Sequence, residues 1–255
     1  MTPSPARTSR PPAPRSPRAR RGHGHGPRGG TRLGWAWLVL VVAVALGAGV
    51  PAWSQAQDAG RFPVTQQDLD RARTELDALP VKGRAPRTGY DRDQFGPAWA
   101  DVDSNGCDTR NDVLARDLTD VTVEPGTHGC VVLSGTLADP YSGVTVVFER
   151  GPRSADVQVD HVVALSDAWQ KGAQQWDAER RRQFANDPAN LLAVDGPTNG
   201  AKGDGDAATW LPPSTGYRCA YVARQVRVKA AYGLWVTRAE RDAIDRTLDG
   251  CVVAD

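Results

Sequence analysis

The chain has 255 residues, 40% hydrophobic and 24% charged, with four Cys and a formal net charge of +1, enough for one or two domains. That charge is unevenly divided: residues 1–32 hold eight Arg and no acid, while from Gln57 onward 23 Lys and Arg face 30 Asp and Glu, a net of −7. A globally basic nucleic-acid-binding surface is thereby excluded for the main part, where such contact would need a local basic patch or a metal.

Residues 1–32, rich in Pro, Gly and Arg, cannot bury a core and read as a disordered basic leader. The uncharged run LGWAWLVLVVAVALGAGV, residues 33–50, is followed by small residues. Residues 33–56 thus fit a secretory signal peptide cleaved after Ala56. The alternative is a membrane anchor through residues 33–53, whose apolar length of about 18 residues is marginal for spanning a bilayer. Both readings put the remainder outside the cytoplasm, secreted or anchored at the outer face of the cell membrane. Residues 57–64 read as a linker and 65–255 as one domain.

Thr65 to Leu79 has helical spacing, with Leu69, Ala72, Leu76 and Leu79 on one face and Thr65 or Asp68 as cap. Residues 80–98 are punctuated by Gly and Pro and read as irregular. RNDVLARDL, from Arg110, reads as a helix, and VTVE, CVVLSG and VTVVFERG as an antiparallel sheet. VQVDHVVAL, from Val157, alternates like a strand. Helical segments follow near Ala168–Gln175 and Ala178–Phe184, then the short strand NLLAV. A long helix from Cys219 and a last one opened by Thr237 and Glu240 in capping-box spacing complete the domain. Cys107, Cys130, Cys219 and Cys251 form no CxxC pair, and an even count in an exported chain implies two disulfides. Of three pairings, Cys107–Cys130 and Cys219–Cys251 are favoured because each closes a local loop.

Asp160 and His161 interrupt the apolar alternation. His161 shares parity with Val157, Val159 and Val163, so on a regular strand it points inward and Asp160 the other way. For both to face one site, the strand must end or bulge there. Downstream, NDPANLLAVDGPTNGAKGD contains Asn190, Asn199, Lys202 and Asp204. Gly200 and Gly203 argue for only a weak helix at that point.

This ordered set resembles the HNH nucleases of the ββα-metal (His-Me finger) fold. Within them it is similar to the family sharing its domain with the C-terminal part of GmrSD-type modification-dependent restriction enzymes. The resemblance runs from about Asp101 to Cys251, with Asn as the third letter of the HNH pattern. It implies an α+β domain with an HNH core in a small antiparallel sheet flanked by helices. It also implies a metal-dependent endonuclease acting on DNA, with RNA as the other polymer to consider. By that resemblance His161 is the general base, Asn190 stabilises its loop, and Asp160 and Asn199 hold one hard divalent cation, Mg²⁺ or Mn²⁺. Lys202, three residues after Asn199, is a candidate phosphate contact, as are Arg110 and Arg224. The ERRRQF segment, Arg218, Arg227 and Lys229 are further candidates for a phosphate-tracking face.

DVDSNGCDTRND matches the opening of a calcium loop at Asp101, Asp103 and Asn105, with Ca²⁺ as its ligand, although Asp112 stands where Glu is expected. A tight Asx-rich turn is the simpler alternative. His128 before Gly129 reads as a turn residue, and Trp169, Trp176, Trp210 and Trp235 as core. No recognition helix or zinc finger supports sequence-specific readout, and no protein partner is evident. The rival functions are an inactive calcium-stabilised extracellular binding module on the same fold, a toxin, or a restriction-type nuclease.

Overall fold

The computed structural model describes residues 61–253, so the leader, the apolar run and the linker up to residue 60 lie outside the described residues. Helix α1 (Gln66–Ala78) opens with a reciprocal capping box between Thr65 and Asp68 and buries Leu69, Ala72 and Leu76. Val64, just before the cap, and Leu69 occupy hydrophobic-staple positions and share one core cluster. Phe62 meets the Tyr217 ring edge-on at 4.7 Å. The end of the expected linker therefore belongs to the core.

Helix α2 (Thr109–Asp117), capped by Asp108, leads into strands β1 (Leu118–Val123), β2 (Val132–Ala138) and β3 (Thr145–Glu149). They form an antiparallel sheet in sequence order, with β1 irregular between Thr119 and Val123. Strands β4 (Val157–His161) and β5 (Leu191–Asp195) make a separate antiparallel pair. Between them run α3 (Leu165–Gln170) and α4 (Ala178–Asn186). Helix α5 (Gly196–Lys202) follows β5 directly. Helices α6 (Arg218–Tyr232) and α7 (Arg238–Asp249) close the fold.

The β4–β5 pair is covered on both faces, which explains the continuous apolar run of β5. Val157, Val159, Leu191 and Ala193 pack with Val132, Leu137 and Phe148 of the three-stranded sheet. Leu192 and Val194 point the other way, into a cluster with Leu76, Val222 and Ile244 of the helices. A third cluster holds Phe95, Leu165, Trp169 and Phe184.

The disulfides are Cys107–Cys130 and Cys219–Cys251, the local pairing expected. A buried ionic cluster joins the helices: Lys171 meets Asp167, Asp206 and Glu240, and Lys229 meets Asp167 and Glu240. Arg84 closes the cluster on Asp206 at 2.7 Å. Lys229, expected on a phosphate-tracking face, is therefore fully buried. Among the described residues no helix is long and apolar enough to cross a membrane, and the segment considered as an anchor lies outside them.

Candidate active site

Strand β4 pairs in unbroken register with β5 through His161 opposite Leu191. The expected loss of alternation at Asp160–His161 does not occur. Instead, α5 packs over the face carrying Gln158 and Asp160, while His161 ends the strand on the other face. Asp195 caps α5 by accepting from Thr198 N, Pro197 sits in its first turn, and Gly203 stops it at φ 55°. Cap, proline and terminal glycine give a seven-residue helix despite Gly200. Asn199 and Lys202, three apart on α5, both face β4.

Asp160 is buried but not aimed into solvent. Lys202 Nζ lies 3.0 Å from its Oδ1 and 2.9 Å from its Oδ2, and Tyr141 Oη donates to Oδ2 at 2.7 Å. Lys202 also donates to the His161 carbonyl at 2.9 Å, locking the strand end. The phosphate contact expected of Lys202 is replaced by this buried clamp, because its ammonium is already enclosed by acceptors.

His161 Nε2 lies 2.8 Å from the carbonyl of Ala185. A carbonyl can only accept, so Nε2 carries the proton and Nδ1 keeps its lone pair. Burial lowers the imidazole pKa to about 4, although the Ala185 hydrogen bond and the Asp160 charge pull it upward. The ring is thus neutral at pH 7. Trp99, in a left-handed backbone conformation at φ 61°, stacks on it with ring centroids 6.2 Å apart.

Asn190 is fully buried. Its backbone carbonyl accepts from Val162 N, its Oδ1 accepts from Val163 N, and its Nδ2 donates to Val163 O. Three bonds fix the chain leaving His161. Arg116 and Arg224 converge on the Pro188 and Leu191 carbonyls on either side of Asn190. Arg224 thus braces this turn rather than lining the His161 cleft. Arg110 stacks on Phe148 at 5.6 Å, also outside that cleft.

A cleft of about 390 Å³ opens on Asp160, His161 and Asn199, with Arg87, Tyr90 and Arg92 on its walls. The donors fit a hard cation. A carboxylate offers about four lone-pair sites, and Lys202 and Tyr141 leave capacity on Oδ1 of Asp160. Gln158 Nε2 donates to Ala155 O, so its Oε1 accepts from Asn199 Nδ2 at 2.9 Å. That chain turns the free amide oxygen of Asn199 into the available ligand atom.

The calcium-loop expectation is not supported by the same kind of convergence. Asp101 accepts from Gly106 N, Asp103 from Asn105 N, and Asn105 from Cys107 N, closing an Asx-rich turn on itself. Among the described residues, no three His, Cys, Asp or Glu side chains form a group that could hold a metal. His128, at φ 54°, is an exposed turn residue.

Trp99, Tyr141, Gln158 and Arg92 were not singled out from sequence. Tyr141 sits in an Asp-Pro turn and Trp99 in an irregular stretch, and neither carries a local signal for its partner in the site.

Two antiparallel strands followed at once by a helix, with His161 at the first strand's end and Asn199 on the helix, define a ββα unit of the HNH type. The model of the family "GmrSD restriction endonucleases, C-terminal domain" matches residues 108–246, and the chain belongs to that family. It is also 41% identical over 182 residues to an "Uncharacterized secreted protein" of Arthroderma benhamiae, covering 71% of this chain and 84% of the relative. No solved structure matches significantly. The domain is thus of nuclease type, and its two disulfides fit an oxidising compartment.

Proposed function

We propose that the protein is an exported, metal-dependent endonuclease that hydrolyses DNA phosphodiester bonds. The observation that carries this is the neutral His161, held through Nε2 by the Ala185 carbonyl with Nδ1 left basic, beside Asp160 and Asn199 in one cleft. In this reading His161 Nδ1 takes the proton from the attacking water. Asp160 and Asn199 hold Mg²⁺ or Mn²⁺, which when bound neutralises phosphate charge and assists the leaving oxygen. Lys202 and Tyr141 hold the Asp160 carboxylate in place, Gln158 presents the Asn199 oxygen, and Asn190 fixes the backbone after His161. Export is supported by the disulfides and by the description of the fungal relative as secreted. An extracellular site argues against a restriction role inside the cell.

The test is side-by-side incubation of the purified protein with duplex DNA, single-stranded DNA and RNA, in Mg²⁺ and in EDTA. Cleavage of DNA in Mg²⁺ and none in EDTA is expected. Equal cleavage in EDTA would remove the metal from the account, and no cleavage of any polymer would remove the enzyme.

A further inference from the structure

We propose that Arg92 is the substrate-gripping cation of this site, contacting a nucleic-acid backbone phosphate beside the bond held at His161. The proposal rests on the nuclease reading above. Arg92 lines the cleft that opens on Asp160, His161 and Asn199, and also a cavity of about 70 Å³ on the Trp99 side of His161. Arg92 thus lines both hollows that border His161.

Its base is rigid. Arg92 begins a 3₁₀ turn, Arg92–Phe95, capped by Asp91. Phe95, 1% exposed, anchors that turn in the core. Arg181 Nε holds the Gln94 carbonyl at 2.8 Å, tying the turn to α4. The arginine side chain itself is exposed.

The other cations near the cleft are committed. Lys202 is enclosed by Asp160 and the His161 carbonyl, and Arg87 lies 3.6 Å from Asp204 while stacking on Tyr90. Among the described residues Arg92 has neither ion pair nor hydrogen bond. With Lys202 set against Asp160 and Arg87 against Asp204, Arg92 is the cation lining the cleft that has no ion-pair partner among the described residues. A phosphodiester carries its negative charge on two free oxygens and so offers the partner that Arg92 lacks. A planar guanidinium also matches the two free phosphate oxygens bidentately. Arg92 lies N-terminal to the residues matched by the family model, 108–246. The grip is thus supplied from outside the matched domain, on a protein whose overall charge gives no help.

The test is binding of a fluorescent DNA duplex in EDTA, titrated over salt, together with cleavage in Mg²⁺, for the wild type, Arg92→Gln, Arg92→Lys and His161→Ala. Arg92→Gln is expected to flatten the log–log salt dependence by about 0.9, the value for one lost phosphate contact on a duplex. Its cleavage efficiency should fall roughly 10- to 100-fold, the loss of one charged hydrogen-bonded contact. Arg92→Lys should restore the salt slope and part of the efficiency. His161→Ala should keep the wild-type slope. An Arg92→Gln protein with the wild-type slope, or a wild type that does not bind DNA, would overturn the proposal. Wild-type binding without Mg²⁺-dependent cleavage would instead overturn the nuclease reading and leave the phosphate contact standing. Because Arg92 bonds to nothing in the fold, an unchanged melting temperature is expected for both Arg92 variants.

Discussion

Asp160 and His161 are adjacent in the chain yet belong to opposite faces of one strand, and each is held by a different part of the fold. Asp160 is gripped by Lys202 and Tyr141, and His161 by the Ala185 carbonyl and the Trp99 ring. Parity read from sequence gave the direction of both side chains. What parity could not give is that α5 would rise over the Asp160 face, because that depends on packing between segments about forty residues apart. Gln158 illustrates the same limit. Its polarity on a strand suggests only exposure, whereas it orients the Asn199 amide. In the proposed reading Asn199 is a metal ligand, and removing the outer partner of such a ligand typically costs 10- to 100-fold in metal affinity. Gln158→Leu is accordingly expected to raise the Mg²⁺ concentration for half-maximal cleavage by roughly 10-fold or more while leaving DNA binding in EDTA intact. A Mg²⁺ titration of cleavage reads this directly.

At the scale of elements, α1 and α7 were legible because their caps and apolar faces are local, and both capping boxes form. The disulfides were legible because both loops are short in sequence. Each is expected to contribute about 3–4 kcal/mol by restricting the unfolded chain. Chemical denaturation of the Cys219→Ala/Cys251→Ala protein should register a loss of that order. Helix α5 was the least legible element that matters, since its two glycines mask a sound cap-and-stop pattern around Asn199 and Lys202. The ionic cluster beneath α3, α6 and α7 was not legible at all. Lys171, Lys229, Asp167, Asp206 and Glu240 look like surface residues in sequence and meet only after the helices pack. Lys229→Ala would strand Asp167 and Glu240 without one of their cations. An unfolding loss of about 3–5 kcal/mol is expected from calorimetry or denaturant titration, as when one member of a buried ion pair is removed.

For the whole molecule, the −7 of residues 57–255 and the small number of uncommitted cations at the cleft imply weak, salt-sensitive attraction to nucleic acid rather than a broad basic groove. Acid stability is set by two buried groups, His161 and Asp206. His161 has its pKa lowered from 6.5 to about 4 by burial, so the unfolded chain binds more protons between those values and stability falls as pH drops from 6.5 to 4. Asp206 is pushed upward by burial, but Lys171 and Arg84 outweigh this and bring it from 3.8 to about 2, so a second loss follows as pH drops from 3.8 to 2. Thermal melts across pH should show both steps, and His161→Asn should erase the first while keeping the second.

The central claim is that His161 is the base of a metal-dependent nuclease, and plasmid nicking by His161→Ala against the wild type in Mg²⁺ tests it most directly. A positioned general base contributes roughly 10²- to 10⁴-fold, so nicking is predicted to fall by that factor while the variant still binds DNA. Nicking by His161→Ala at the wild-type rate would contradict the account.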